Sequence, residues 1–194
     1  MTITLIRHGR PLADFSTKRR GHELGEWLRA YERVAVDAAL PPPEAPRRVL
    51  KEAGARVRLF SSPTVRAWSS AALLAPGATV EALDEAREAP LPERVWCPLR
   101  VRPATLLVLA RTAWFLGAAA VERPAEVRGR ARRVAARLVA AASEERGGSV
   151  ALVGHGYMNR FIASELRALG WRRVAMDGMG YWAAMRFEIE YRRE

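Results

Sequence analysis

VALVGHGYMNRF, running from Val150 to Phe161, is the stretch that decides the fold class. Its first four residues, Val150-Ala151-Leu152-Val153, leave no polar side for water, the pattern of a strand buried on both faces within a parallel sheet. Gly154-His155-Gly156 then turns the chain, and a helix is expected from Tyr157 to about Leu169.

Outward from that strand the same alternation recurs. The β-branched run Thr2-Ile3-Thr4-Leu5-Ile6 reads as a strand ending at Arg7-His8-Gly9. Leu24, Trp27, Leu28, Tyr31 and Val34 recur at helical spacing between Gly21 and Val36. After Pro41-Pro42-Pro43 a helix is expected over Arg47–Ala53, stopped by Gly54. A strand follows at Val57–Phe60, and Ser62-Pro63 signals a helix from Pro63 to Leu74. Thr79–Leu83 is a further strand, and the prolines within Arg87–Arg102 make that segment a loop. Helices are expected over Ala104–Ala119 and Pro124–Glu145, the second closed by Gly147-Gly148, and a last strand in the tail from Tyr181 to Tyr191. The expected fold is α/β, one domain over residues 1–194, with a mostly parallel sheet and helices on both faces.

The 194 residues, 49% apolar and 27% charged, exclude disordered, collagen-like and disulfide-scaffold classes. Cys97 is alone, and with three histidines in the chain no zinc site is expected. A lone thiol suits a reducing, cytoplasmic setting. Met1–Ile6 is too short for a signal-peptide core before Arg7. Arg111 interrupts the most apolar run, Ala104–Val121, so no membrane span is expected. The net charge of +11 is carried almost wholly by arginines scattered among acids, so no specific nucleic-acid partner is expected.

In such sheets ligands bind beyond the carboxyl ends of the strands. Three of those ends carry chemistry: Arg7-His8-Gly9, Ser61-Ser62-Pro63 leading to Arg66, and Gly154-His155-Gly156. Two histidines and two arginines beside free helix-start amides would converge on an anion, and phosphate fits best.

"TLIRHGR" (Thr4–Arg10), "LFSSPTVRAWSSA" (Leu59–Ala71) and "VALVGHGYMNRF" together resemble the histidine phosphatase superfamily, the phosphoglycerate-mutase-like group. The resemblance implies a three-layer α/β/α sandwich with a variable, mainly helical insert at about 90–121. It implies a metal-independent phosphatase with no cofactor, acting on a phosphorylated small molecule or a phosphoprotein. His8 would be the nucleophile, forming a phosphohistidine. Arg7, Arg66 and His155 would surround the phosphoryl oxygens, with Gly9 and Gly156 adding backbone donors. The resemblance also calls for an acid after the third strand, and "LDEAREAPLP" offers Glu85 and Glu88. Glu88 is preferred because Arg87-Glu88 precedes the proline-rich loop.

The alternative is a catalytically weak anion-binding or regulatory module of the same fold. Arg10-Pro11-Leu12 departs from the motif that mutases continue with, so mutase activity is not expected. His22 reads as a surface residue. Trp96, Trp114 and Phe115 of the insert would serve as lid, substrate pocket, core or the face of a homodimer, with Trp114 and Phe115 best read as core.

Overall fold

The computed structural model describes residues 1–53, 57–117, 121–144 and 148–189. Six strands form one sheet in the order β3-β2-β4-β1-β6-β5. They are β1 (Thr2–Arg7), β2 (Val57–Ser61), β3 (Val80–Ala82), β4 (Ser149–Gly154), β5 (Arg172–Asp177) and β6 (Ala184–Glu188). The first four are mutually parallel; β6 pairs antiparallel with β1, and β5 pairs antiparallel with β6, so that β6 alone of the described strands is reversed.

The helices are α1 (Leu24–Glu32), α2 (Glu44–Ala53), α3 (Val65–Leu74), α4 (Pro103–Phe115), α5 (Pro124–Ser143) and α6 (Gly156–Ala168). Side-chain alternation along the strands gives the sheet two apolar faces. On one face Ile3, Leu5, Phe60, Leu152 and Phe187 pack against α5 and α6, through Leu138, Met158 and Ile162 among others. On the other Ile6, Leu59 and Val153 pack against Ala67, Ala71 and Leu74 of α3. This is the expected three-layer α/β/α sandwich. Among the described residues no helix is long and apolar enough to cross a membrane.

Register places the site. Arg7 lies opposite Gly154, and Ser61 opposite Val153, so β1, β2 and β4 end at one level. Beyond the last pairs His8 N–H donates to Gly154 O at 3.0 Å and Ser62 N–H to Val153 O at 2.9 Å.

Several boundaries differ from expectation for local reasons. The Gly21–Val36 helix is a 3-10 turn, Gly21–Glu23, followed by α1, and it stops at Glu32. Val36 instead bridges Pro11. Helix α3 begins at Val65, because Thr64 is still extended and its carbonyl receives the first turn's amides. Helix α2 starts earlier, at Glu44, with Pro46 tolerated in its first turn. The tail strand is confined to Ala184–Glu188 after a turn in which Trp182 holds a positive φ of 64°. Strand β5 is unforeseen: it is exposed along its length and among the described residues pairs with β6 alone, so it lacks a buried apolar signature. The expected stops at Gly54 and Gly147, and the expected ends at Ala119, Glu145 and Tyr191, lie outside the described residues.

The insert packs on α1: Leu106 and Ala110 of α4 join Leu24 and Trp27 in a third apolar cluster. Trp114 is core, with Nε1–H donating to Glu122 O at 2.7 Å. Phe115, expected beside it, is 53% exposed, and Trp96 is 92% exposed.

Candidate active site

A cleft of about 700 Å³ opens over the carboxyl ends of β1, β2 and β4. His8 sits at its floor, 3% exposed, with His155 fully buried beside it. The two rings meet edge to face, with centroids 5.2 Å apart and planes at 66°.

The His8 Nδ1 lies 2.8 Å from the Gly9 carbonyl oxygen. A carbonyl only accepts, so the neutral ring carries its proton on Nδ1 and leaves Nε2 with a free lone pair. Burial lowers the His8 pKa to about 3; the Gly9 hydrogen bond opposes this, and the Arg66 and Arg7 charges add to it. His155 is likewise held well below its ordinary value, by burial first and then by Arg66, His8 and Arg7. Its Nε2 lies 2.9 Å from Ser62 Oγ and 3.2 Å from Thr64 Oγ1, while its buried Nδ1 has no partner among the described residues.

Arg66 comes from the first turn of α3 and is 4% exposed. Its guanidinium lies 4.6 Å over the Tyr31 ring, and its Nε and Nη1 are buried without a hydrogen-bond partner. Among the described residues no carboxylate pairs with it. A buried cation in that state is poised for an anion. Arg7 donates from Nη1 to Met179 O at 2.9 Å and lies 4.7 Å over Tyr181, leaving its buried Nε unpartnered.

Of the two candidate acids, only Glu88 lines the cleft. Its Oε1 accepts from Ala89 N at 3.0 Å and Met158 N at 2.9 Å, and its Oε2 from Tyr157 N at 3.3 Å. The carboxyl is thereby fixed at the start of α6, where unpaired amides favour it. Glu85 instead pairs with Arg133 outside the cleft.

The expected glycine donors divide. The Gly9 N–H donates to Ser70 Oγ at 2.9 Å. What Gly9 permits is close approach: a Cβ there would lie 2.4 Å from Trp182 Cζ2. At Gly156 a Cβ would press on Arg7 Nε at 3.4 Å, so its bareness gives the arginine room. His22 is exposed, as expected.

Sequence reading passed over Arg111 and Tyr31. Arg111 is 6% exposed, donates to Ala89 O at 3.0 Å and Pro90 O at 3.4 Å, and lies 4.2 Å over the Tyr157 ring. The signal was there: a charge amid an apolar helix excludes a membrane span, and it equally marks a buried polar cavity. Tyr31 was legible only as a core residue of α1. Among the described residues no group of three or more His, Cys, Asp or Glu is placed to hold a metal.

A sequence profile described as the histidine phosphatase superfamily (branch 1) matches residues 43–193. No curated protein matches the sequence significantly. The fold is similar to that of the product of the open reading frame Rv3214 of Mycobacterium tuberculosis. That match has a TM-score of 0.65 and 18% identity, covering 98% of this chain and 92% of that one. It is also similar to the mycobacterial glucosyl-3-phosphoglycerate phosphatase Rv2419c, with a TM-score of 0.60 and 19% identity over 95% of this chain and 88% of that one. A phosphoserine phosphatase from Entamoeba histolytica matches at a TM-score of 0.58 and 13% identity, over 98% of this chain and 91% of that one. At these identities the structural likenesses speak for the fold alone.

Proposed function

The chain belongs to the histidine phosphatase superfamily, branch 1, and is a phosphatase of that family; on that premise we propose that it hydrolyses phosphate monoesters through a phosphohistidine on His8. The observation that carries this is Arg66, buried beside two neutral histidines with no carboxylate partner among the described residues.

His8 Nε2 attacks phosphorus and the bond from phosphorus to the leaving oxygen breaks, that oxygen taking a proton from Glu88. Arg7, Arg66 and His155 hold the non-bridging oxygens while charge spreads over them. Water then attacks the phosphohistidine, returns a proton to Glu88, and the N–P bond breaks to release orthophosphate. No step is assigned to a cofactor. A cleft of about 700 Å³ has room for a small phosphorylated molecule.

A single domain over residues 1–194 with its insert at 90–121 and a cytoplasmic setting for Cys97 belong to the same proposal. So does a homodimer through the exposed Val108, Phe115 and Leu116.

The test is p-nitrophenyl phosphate turnover in EDTA, with acid-labile phosphoenzyme trapped in parallel. Wild type should turn over and label, and His8→Ala should do neither. A His8→Ala protein that keeps wild-type turnover refutes the assignment. Phosphate binding without turnover in the wild type selects the weak anion-binding module.

A further inference from the structure

We infer that the substrate carries one phosphate on an uncharged, apolar leaving group, a conclusion that rests on the cleft being the phosphatase site. The chain's charge of +11 would suggest a polyanionic substrate, but the cleft does not concentrate it. Among the described residues six arginines line the cleft, and so do five carboxylates.

Their arrangement by depth is what decides. At the floor Arg7 and Arg66 have no carboxylate partner among the described residues, which suits one phosphoryl group. At the mouth each arginine is already paired. Arg29 lies 2.6 Å from Glu93, and Arg87 lies 3.4 Å from Asp84. Arg130 grips Glu122 with both arms, at 2.6 and 2.7 Å. Glu32 adds a negative charge at the mouth with no ionic partner among the described residues. Arg111 lies between: its two terminal nitrogens bond the Ala89 and Pro90 carbonyls and Glu88 offsets its charge, while its buried Nε has no hydrogen-bond partner among the described residues and can add to the hold on the single phosphoryl group. A second phosphate or a carboxylate reaching the mouth would therefore meet paired or negative groups and lose its hydration without recompense.

What the leaving group does meet is apolar. Leu28 of α1, Leu91 of the proline-rich loop, Leu107 of α4 and Val121 line the cleft half-buried. Such walls, with polar groups confined to one end, hold an aryl or branched-alkyl group by burial.

The experiment compares non-hydrolysable phosphonates by calorimetry, so that it does not depend on turnover. Naphthylmethyl phosphonate should bind at least ~10-fold more tightly than methyl phosphonate, and at least ~10-fold more tightly than its carboxylated counterpart. In parallel, kcat/KM for naphthyl phosphate should exceed that for a carboxylated alkyl phosphate by a similar factor. Leu107→Ser should cut the naphthyl preference at least ~3-fold, and Leu91→Ser serves as an independent second site, each checked for native circular dichroism. Equal affinities, or tighter binding of the carboxylated or a bisphosphonate probe, overturn the inference. The selectivity without any turnover would spare it and remove the catalytic reading instead.

Discussion

Replacing Arg66 by Met should make the protein more stable and the enzyme nearly inactive. Arg66 is 4% exposed, and among the described residues two of its guanidinium nitrogens have no partner and no carboxylate balances it. Keeping an ion out of water in that state costs several kcal/mol. The Tyr31 ring at 4.6 Å returns about 2 kcal/mol. Met keeps most of the aliphatic stem in place, so the net gain on substitution should be about 1–3 kcal/mol. For a chain of this size that raises Tm by roughly 2–4 °C per kcal/mol. Adding orthophosphate reverses the order, since ligand at 100 times its Kd stabilises the wild type by about 2.7 kcal/mol and should do little for the variant. Turnover should fall ~100–1000-fold, the loss typical of removing one preorganised charge at an oxyanion. Urea unfolding with and without phosphate, followed by circular dichroism, reads the stability, and p-nitrophenyl phosphate reads the rate. If Arg66→Met were destabilised by more than ~1 kcal/mol without phosphate, the reasoning from an uncompensated buried cation would be refuted.

Three further outcomes follow from the same geometry. Glu88→Gln should slow alkyl phosphates ~100–10,000-fold and p-nitrophenyl phosphate far less, because a good leaving group needs no proton; Glu85→Gln should stay within ~3-fold on both. Equal losses across leaving groups would remove Glu88 as the proton donor. For pH, the unfolded chain protonates His8 near its ordinary 6.5 while the native ring stays neutral down to about 3. The unfolded state therefore binds the extra proton in that window, and stability falls as pH drops below 6.5, by about 1.4 kcal/mol per unit for this group, levelling off near 3. His155 adds in the same direction, and urea midpoints between pH 4.5 and 7 should lose part of their slope in His8→Asn. Gly9→Ala forces a methyl onto Trp182 and should cost about 1–3 kcal/mol in chemical denaturation, against near-neutrality if the indole can swing away.

The sequence by itself determined where the chemistry lies along the chain. An apolar run such as Val150–Val153 declares a buried strand through its neighbours alone, and the residue after a strand end falls at the ligand edge of a parallel sheet. Arg7, His8, Arg66 and His155 were therefore legible as a set. Strand β5 was not, because an exposed edge strand has no buried side to impose a pattern on its residues. The tertiary structure alone separated Glu88 from Glu85, since the difference is whether a carboxyl reaches the amides of α6 or Arg133 of α5. It alone showed that Arg111 sits under the cleft, that the Gly9 amide is taken by Ser70, and that the arginines at the mouth are neutralised. Each of these depends on two segments distant in sequence meeting at a few ångströms. Local pattern fixes which groups are present, but packing fixes which of them remain unpaired.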